Sequence, residues 1–340
     1  MASSIKDALI IGAGPAGLSA ALGLSRVHLT KIVFTKPRNA GFRNEGAHEI
    51  HNVLTRDGTP PAEFRQTARD EIQKYGTTEF VEAEITSLKR VEPGNGDGNA
   101  GTSSYFEAVD SQGRNWHGRK VILATGSTEV LPTDIPGYKE NWPQNIFQCL
   151  FCDGHERSHL PAGIIGFSPI LAHAAPLLLL LATESSGPPT VFSNGPILET
   201  EPMQKALDNV RALGCKIETR KIAQLVPAQA PDVGVTVVFE DNQRTHVGYL
   251  TDRPTTVLAS RHLIDQLGLE VETHPIMGEN IKGVELGGAT KVPGLFIAGD
   301  AATPLKAVTN AISSGSNAAA VITQQIAAEN LQRKLASRLA

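Results

Sequence analysis

A chain of 340 residues points to about two domains and is long enough to bury a sizeable core. With 41% apolar and 19% charged residues and a formal net charge of -4, it reads as an ordinary soluble globular protein without a basic footprint for nucleic acid or anionic membrane. Only three cysteines, Cys149, Cys152 and Cys215, argue against a secreted disulfide scaffold.

The N-terminus runs straight into an apolar strand, with no basic region or small-residue cleavage site, so a cytoplasmic protein is expected. Residues 7–35, DALIIGAGPAGLSAALGLSRVHLTKIVFT, predict strand, glycine turn, helix and a second strand from Lys31 to Thr35. That is a βαβ unit of the usual size, about 30 residues. Gly12, Gly14 and Gly17 form G-x-G-x-x-G directly after the strand. The first glycine permits the tight turn, the second lets backbone approach a pyrophosphate, and the third lets helix and strand pack closely. The helix N-terminus then offers free N–H groups to the phosphates. A glycine turn between strand and helix also occurs without a ligand, but strand, helix and second strand are all in place here. The acid that usually ends the second strand and holds ribose hydroxyls is missing. Thr35 and Lys36 stand there, so the adenosine end must be held differently, through Thr35 or nearby basic residues.

Residues 61–76 predict an amphipathic helix stopped by Gly76, and 77–91 read as strand. The stretch 92–104 is a polar turn, and RKVILATGS (119–127) a strand running into a turn. After a Pro-rich connector comes QCLFCDGHE, holding Cys149 and Cys152. Haem attachment needs a histidine where Asp153 stands. Zinc could draw on Cys149, Cys152, His155 and His159, but finger-type sites separate their ligand pairs by about 12 residues or more. Zinc and a purely structural pair stay as lesser alternatives, and the redox reading is favoured, because a C-x-x-C entering a helix brings two sulfurs within disulfide reach and activates a thiol. Asp153 is the candidate proton shuttle and His155 a second base, whose bland alternative is an exposed helix face. No metal site is preferred.

A second βα pattern opens at Ala162, and the apolar run 170–182 is too short for a membrane span of roughly 20 residues, so it reads as a buried core helix. Cys215 reads as a small buried hydrophobe. The strand VPGLFIAGDAA (292–302) ends at Asp300, which either binds a ligand or caps the final helix. The whole predicts an α/β protein of two nested Rossmann-like, three-layer domains. The outer one is discontinuous, 1–125 and 250–340, and the inner one covers 126–249.

GAGPAG, ILATGS, CLFCDG and GLFIAGDAA, in that order over nearly the whole chain, resemble the thioredoxin-reductase family of flavoproteins. The resemblance implies that the outer domain holds FAD. Gly12, Ala13, Gly14, Pro15, Ala16 and Gly17 would cradle it, Ala124, Thr125 and Gly126 approach it, and Gly299 and Asp300 hold its ribityl chain. The helix start at Lys306, Ala307 and Val308 would face the ring, where a helix N-terminus stabilises the charge of reduced flavin. Thr35, Asn44, His51, Asn52 and Ile85 are further cofactor-binding candidates. Cys149 would meet substrate and Cys152 would pass electrons to the ring.

That family takes hydride from NADPH at a second glycine motif in the inner domain. Here the segment reads GIIGFSPILAHA, with Gly166 in place but Ser168 and Leu171 at the second and third positions. Ser168 obstructs backbone approach, Pro169 removes a donor, and VFSNGP lacks the arginines that neutralise a 2′-phosphate. The inner domain is therefore expected to bind NADPH poorly. The chain then looks like the thioredoxin-reductase-like dithiol oxidases of natural-product clusters, which close disulfides in gliotoxin, other epidithiodioxopiperazines or dithiolopyrrolones. A small-molecule dithiol and O2 are the partners this implies, in a homodimer with neither nucleic acid nor membrane; an NADPH-fed disulfide reductase is the alternative.

Overall fold

The structure is a computed structural model and describes residues 5–37, 41–92 and 104–339. Most of the polar turn expected over 92–104 lies outside the described residues, as do Arg38 and Asn39 in the basic stretch after Thr35. The backbone forms two compact units, one of Met1–Glu45, Val53–Thr128 and Thr256–Ala340, the other of Gly46–Asn52 and Glu129–Thr255. The inner division thus runs slightly later than 126–249 and draws in the short piece 46–52.

Unit 1 begins with β1 (Lys6–Ile11), α1 (Pro15–Ser25) and β2 (Lys31–Thr35), then α2 (Pro61–Gln73), β3 (Thr78–Glu82), β4 (Ile85–Val91), β5 (Tyr105–Asp110) and β6 (Asn115–Leu123). The single strand expected over 77–91 is two strands. β3 runs parallel to β2, whereas β4 turns back and pairs antiparallel with β5. The sheet order is β3-β2-β1-β6-β5-β4. Its central strands are buried on both faces, which is why they read as continuous apolar runs. Ala8 and Ile10 face one core, Leu9 and Ile11 the other.

The chain leaves through β7 (Ser127–Glu129) and α3 (Tyr138–Asn141). Unit 2 contains β8 (Ile146–Phe147), α4 (Leu150–Asp153), β9 (Ala162–Ile165), α5 (Pro169–Ala172), α6 (Ala174–Leu181), β10 (Thr190–Phe192), α7 (Glu201–Ala212) and β11 (Lys216–Glu218). Then come β12 (Ile222–Pro227), β13 (Val235–Phe239), β14 (Arg244–Val247) and β15 (Tyr249–Thr251). A parallel sheet of order β11-β10-β9-β15-β8 carries the Rossmann-like half, and β12-β13-β14 form an antiparallel sheet. The apolar run 170–182 is not one buried helix. It breaks at His173 into α5 and α6, of which only Ala175 and Leu178 are buried, while Leu180 is 83% exposed. Cys215 is buried, as expected of a small hydrophobe.

The return passes through β16 (Thr256–Leu258), α8 (Arg261–Gln266), β17 (Val271–His274), β18 (Gly278–Ile281) and β19 (Leu295–Ile297) into α9 (Val308–Leu339). β19 adds a parallel strand beside β6, and Ala311, Ala318 and Ile322 of α9 join Ala16 and Ala20 of α1 in one core. Among the described residues no helix is long and apolar enough to cross a membrane.

Candidate active site

Unit 1 builds the cradle from local geometry. Gly12 has φ +114, and a Cβ there would lie 2.2 Å from the Ala124 carbonyl oxygen. A Cβ on Gly17 would lie 1.9 Å from the Gly12 carbonyl oxygen, so α1 can leave β1 this closely only with glycine at both places. Gly14 is different. It caps α1 with ordinary φ −76 and no side-chain cap, and a Cβ on it would meet nothing within 4 Å. Open space thus fronts an uncapped helix start, as a pyrophosphate requires. Pro15 occupies the first helical position, where a donor is dispensable, and Ala13 and Ala16 are buried.

Ala124 N donates to the Ile11 carbonyl, so the Ala124–Thr125–Gly126 turn lies directly beside the cradle, with Gly126 at φ +73. Asp300 sits in a short 3-10 turn well ahead of α9, so it does not cap that helix. Ser127 Oγ donates to its Oδ2 at 3.0 Å and Arg43 Nη1 at 3.2 Å. Neither was expected as a partner of Asp300; Ser127 follows the A-T-G turn directly, whereas Arg43, in the RN pair at 43–44, reaches it across 257 residues. The Gly299 amide is held by Ser314 Oγ. Lys306 Nζ donates to the Glu279 and Asp300 carbonyls, bracing the stretch before Ala307 and Val308.

The remaining candidates separate. Thr35 is buried and aligned with Glu82 on β3, and its neighbour Lys36 pairs with Glu84 at 3.1 Å. A carboxylate therefore stands next to position 35, on the adjacent strand. Asn44 accepts from buried Arg65. Ile85 turns its side chain into the core, which leaves only its backbone for a ligand. His51 and Asn52 belong to unit 2.

Unit 2 carries the redox pair. Cys149 caps α4 and is bonded to Cys152, with Cα atoms 5.2 Å apart. The bond removes the thiolates that a zinc site would require, and among the described residues no three His, Cys, Asp or Glu gather as metal ligands. Backbone N–H groups of Cys152 and Asp153 both donate to the Cys149 carbonyl at 3.0 Å, fixing the loop. Between the sulfurs, Phe151 is 82% exposed. The Asn52 side-chain amide donates to the Phe151 carbonyl at 2.9 Å, and Asn52 adopts φ 62 to do so. Asp153 is half-buried, and burial pushes its carboxyl up to about 6; His51 opposes that shift and Glu156 adds to it. A carboxyl at that level exchanges protons near neutrality. His155 lies exposed in the bend after α4, and His159 is exposed as well. The imidazole facing the acids of this loop is His51.

The second glycine turn begins like the first. Gly166 has φ +78 and its amide donates to the Phe192 carbonyl. Ser168 then caps α5, its Oγ accepting from Leu171 N at 3.1 Å, and Leu171 Cδ1 fills the space over Gly166. The proline argument fails, because Pro15 holds the same position in the first cradle. Along the next strand Ser193 Oγ donates to the Gly195 carbonyl, and Asn194 Oδ1 accepts from Ile222 N. Lys221 lies near Gly195, a cation the local sequence of β10 does not announce, while Arg220 is taken by Glu218 and Asp241.

The family model described as pyridine nucleotide-disulphide oxidoreductase matches residues 6–315. Thioredoxin reductase sirT of Leptosphaeria maculans is 38% identical, covering 95% of this chain and 94% of its own. Thioredoxin reductase tcpT of Claviceps purpurea is 36% identical, covering 96% of each. Among solved structures, an oxidoreductase from Agrobacterium tumefaciens superposes with a TM-score of 0.79 at 29% identity, covering 95% of this chain and 98% of its own. The chain therefore belongs to the pyridine nucleotide-disulphide oxidoreductase family, as a flavin-dependent thiol/disulfide oxidoreductase of the thioredoxin-reductase type.

Proposed function

We propose that the protein is an FAD-dependent dithiol oxidase that closes an intramolecular disulfide in a small natural-product dithiol, of epidithiodioxopiperazine or dithiolopyrrolone type, with O2 as acceptor. It works as a cytoplasmic homodimer. The observation that carries this reading is the contrast between an open first cradle and a second one filled by its own Ser168 and Leu171. Gly12 to Gly17 hold the cofactor's pyrophosphate, and Asp300, fixed by Ser127 and Arg43, holds its ribityl chain. FAD held there would supply a two-electron acceptor for the reduced Cys149–Cys152 pair, with O2 as the final acceptor.

The chain's own residues do the sulfur chemistry. One substrate thiol gives its proton to Asp153 and attacks Cys149 Sγ, releasing Cys152 as thiolate. The second substrate thiol attacks the mixed disulfide at the substrate sulfur and gives its proton to the departing Cys149 sulfur, forming the product disulfide and leaving Cys149 and Cys152 as a reduced pair. Over a full cycle two electrons and two protons pass from the dithiol to O2, giving hydrogen peroxide.

Stopped-flow absorbance separates the two directions. Dithiothreitol should bleach the flavin band of the purified holoprotein, and under air it should generate peroxide; NADPH should leave the band unchanged. Rapid bleaching by NADPH with dithiothreitol inert would overturn the reading in favour of a disulfide reductase. The reductase alternative draws on the names of the relatives, the retained Gly166 turn and the nearby Lys221.

A further inference from the structure

The two aromatic rings nearest the redox pair in sequence are placed in opposite ways. Phe147 is 6% exposed, its ring 5.7 Å from that of Tyr249 and beneath the Arg157 guanidinium. Phe151, between the two cysteines, is 82% exposed. Its backbone is nevertheless fixed. Cys152 N and Asp153 N close the turn on the Cys149 carbonyl, Asn52 Nδ2 donates to the Phe151 carbonyl at 2.9 Å, and Leu150 beside it is buried in the core. Ordered backbone therefore holds the ring out into solvent, and both cysteines beside it are only half-buried.

The apolar surface continues past the ring. Phe151 and Gly154 stand three residues apart through a helical turn, which makes them neighbours on one face. A Cβ on Gly154 would lie 2.5 Å from Leu181 Cδ1, so α6 lies against that face. Leu177, one turn back along α6, is 49% exposed and Leu180 is 83% exposed, while Leu178 is buried in one core with Leu150. Phe151, Leu181, Leu177 and Leu180 thus form a strip that starts beside the sulfurs. Single exposed apolar residues are ordinary, but contiguous ones mark a binding surface. A second protein needs about 800 Å² per partner, spread over some 20–30 residues. Four side chains give the footprint of a small molecule. The charged groups that α4 and the bend after it offer are acids, Asp153 and Glu156, because Arg157 is turned to Asn145 Oδ1 and the Gly248 carbonyl. Negative charge on a thiol substrate is disfavoured there.

We propose that Phe151 is a substrate-contacting residue that selects the dithiol: an uncharged, ring-bearing dithiol lays its apolar face on the Phe151 ring and along Leu181 and Leu177 of α6, with its sulfurs toward Cys149. The proposal rests on the Cys149–Cys152 disulfide being the place where a small dithiol is oxidised, and adds the residues that choose among dithiols.

Stopped-flow reduction of the flavin in the holoprotein tests it with two neutral probes, 1,2-benzenedimethanethiol, which carries a ring, and dithiothreitol, which does not. Phe151→Ala should raise the half-saturating concentration of the aromatic dithiol about tenfold with its limiting rate unchanged, and should move that of dithiothreitol by less than about twofold. Phe151→Trp should keep the preference for the aromatic probe, and Leu177→Gln should weaken it by about threefold. Dihydrolipoamide should reduce the flavin faster than dihydrolipoate, its anionic counterpart. Equal losses for both neutral probes in Phe151→Ala would mean that the ring only shapes the loop, and no loss for either that it touches nothing; each overturns the proposal. A preference for the anion overturns it too, as does a reduced thioredoxin whose reaction needs Phe151 when that of the aromatic probe does not. If no dithiol reduces the parent flavin, the oxidase reading has failed separately. The same ranking is then read from the rate at which each dithiol opens the Cys149–Cys152 disulfide, scored by alkylation of the freed thiols and mass spectrometry, and its absence there sinks the proposal.

Discussion

The two glycine turns, GAGPAG and GFSPIL, start alike and then diverge within six residues. Gly12 N donates to the Phe34 carbonyl and Gly166 N to that of Phe192, each in a parallel strand pair and each with positive φ. From there the first turn launches an 11-residue helix with an uncapped start, whereas the second launches a 4-residue helix capped by Ser168. Position three decides how long the helix can stay against its strand: Gly17 admits the carbonyl of Gly12, and Leu171 instead packs over its own turn. A Rossmann-like turn can therefore keep its backbone entry while its ligand face is rebuilt as protein. The first copy leaves its helix start uncapped, as a phosphate site requires, whereas in the second the Ser168 Oγ accepts from Leu171 N.

The largest effect that could break this contrast is Gly17→Ala. Its Cβ would meet backbone 1.9 Å away, which cannot yield as a flexible side chain could, so we expect a loss of ~3 kcal/mol or more together with the flavin. Thermal unfolding and the flavin-to-protein absorbance ratio measure both. A variant that keeps its flavin and its stability would show that close approach of α1 to β1 is not what the third glycine provides.

Gly14→Ala sharpens the same point with a smaller and more selective effect. The new methyl meets nothing and φ is already ordinary, so the apoprotein should unfold within about 0.5 kcal/mol of the parent. Flavin should nevertheless be held at least tenfold more weakly, since losing even one charged hydrogen bond to a phosphate costs about 1.5–3 kcal/mol. Equilibrium titration of the apoprotein with FAD gives the number. Unchanged affinity would mean that the open space before α1 is not occupied by phosphate.

The cradle was legible in the sequence because each glycine has a cause within a few residues: a turn, an approach, a close packing. The disulfide was legible for the same reason, since a C-x-x-C spacing nearly fixes the distance between its Cα atoms. What escaped depended on partners far along the chain. His51 meets Glu156 across about a hundred residues, and Arg43 reaches Asp300 across 257, with no periodicity to announce either. The run 170–182 misled for another reason. Apolar composition alone predicts burial, but the Ser168 cap and the break at His173 make two short helices, and two short helices cannot turn every leucine inward. Pro169, just ahead of that run, misled too, because a proline at the first helical position is compatible with a phosphate site, as Pro15 shows.

The smallest expected effect falls on the second turn itself. Ser168→Ala removes the oxygen that accepts from Leu171 N and should cost about 1 kcal/mol or less, the usual value of an N-cap diluted by a helix of four residues. Dithiol turnover should stay within about twofold of the parent, because the change touches neither the redox loop nor the first cradle. The informative measurement is flavin reduction by NADPH in this variant. Freeing one N–H while Leu171 still covers Gly166 and Arg220 stays paired with Glu218 and Asp241 should leave that rate at background. A rate that rises well above background would mean that the serine cap alone separates the two turns, and that the remaining differences in unit 2 are tolerated by a nucleotide.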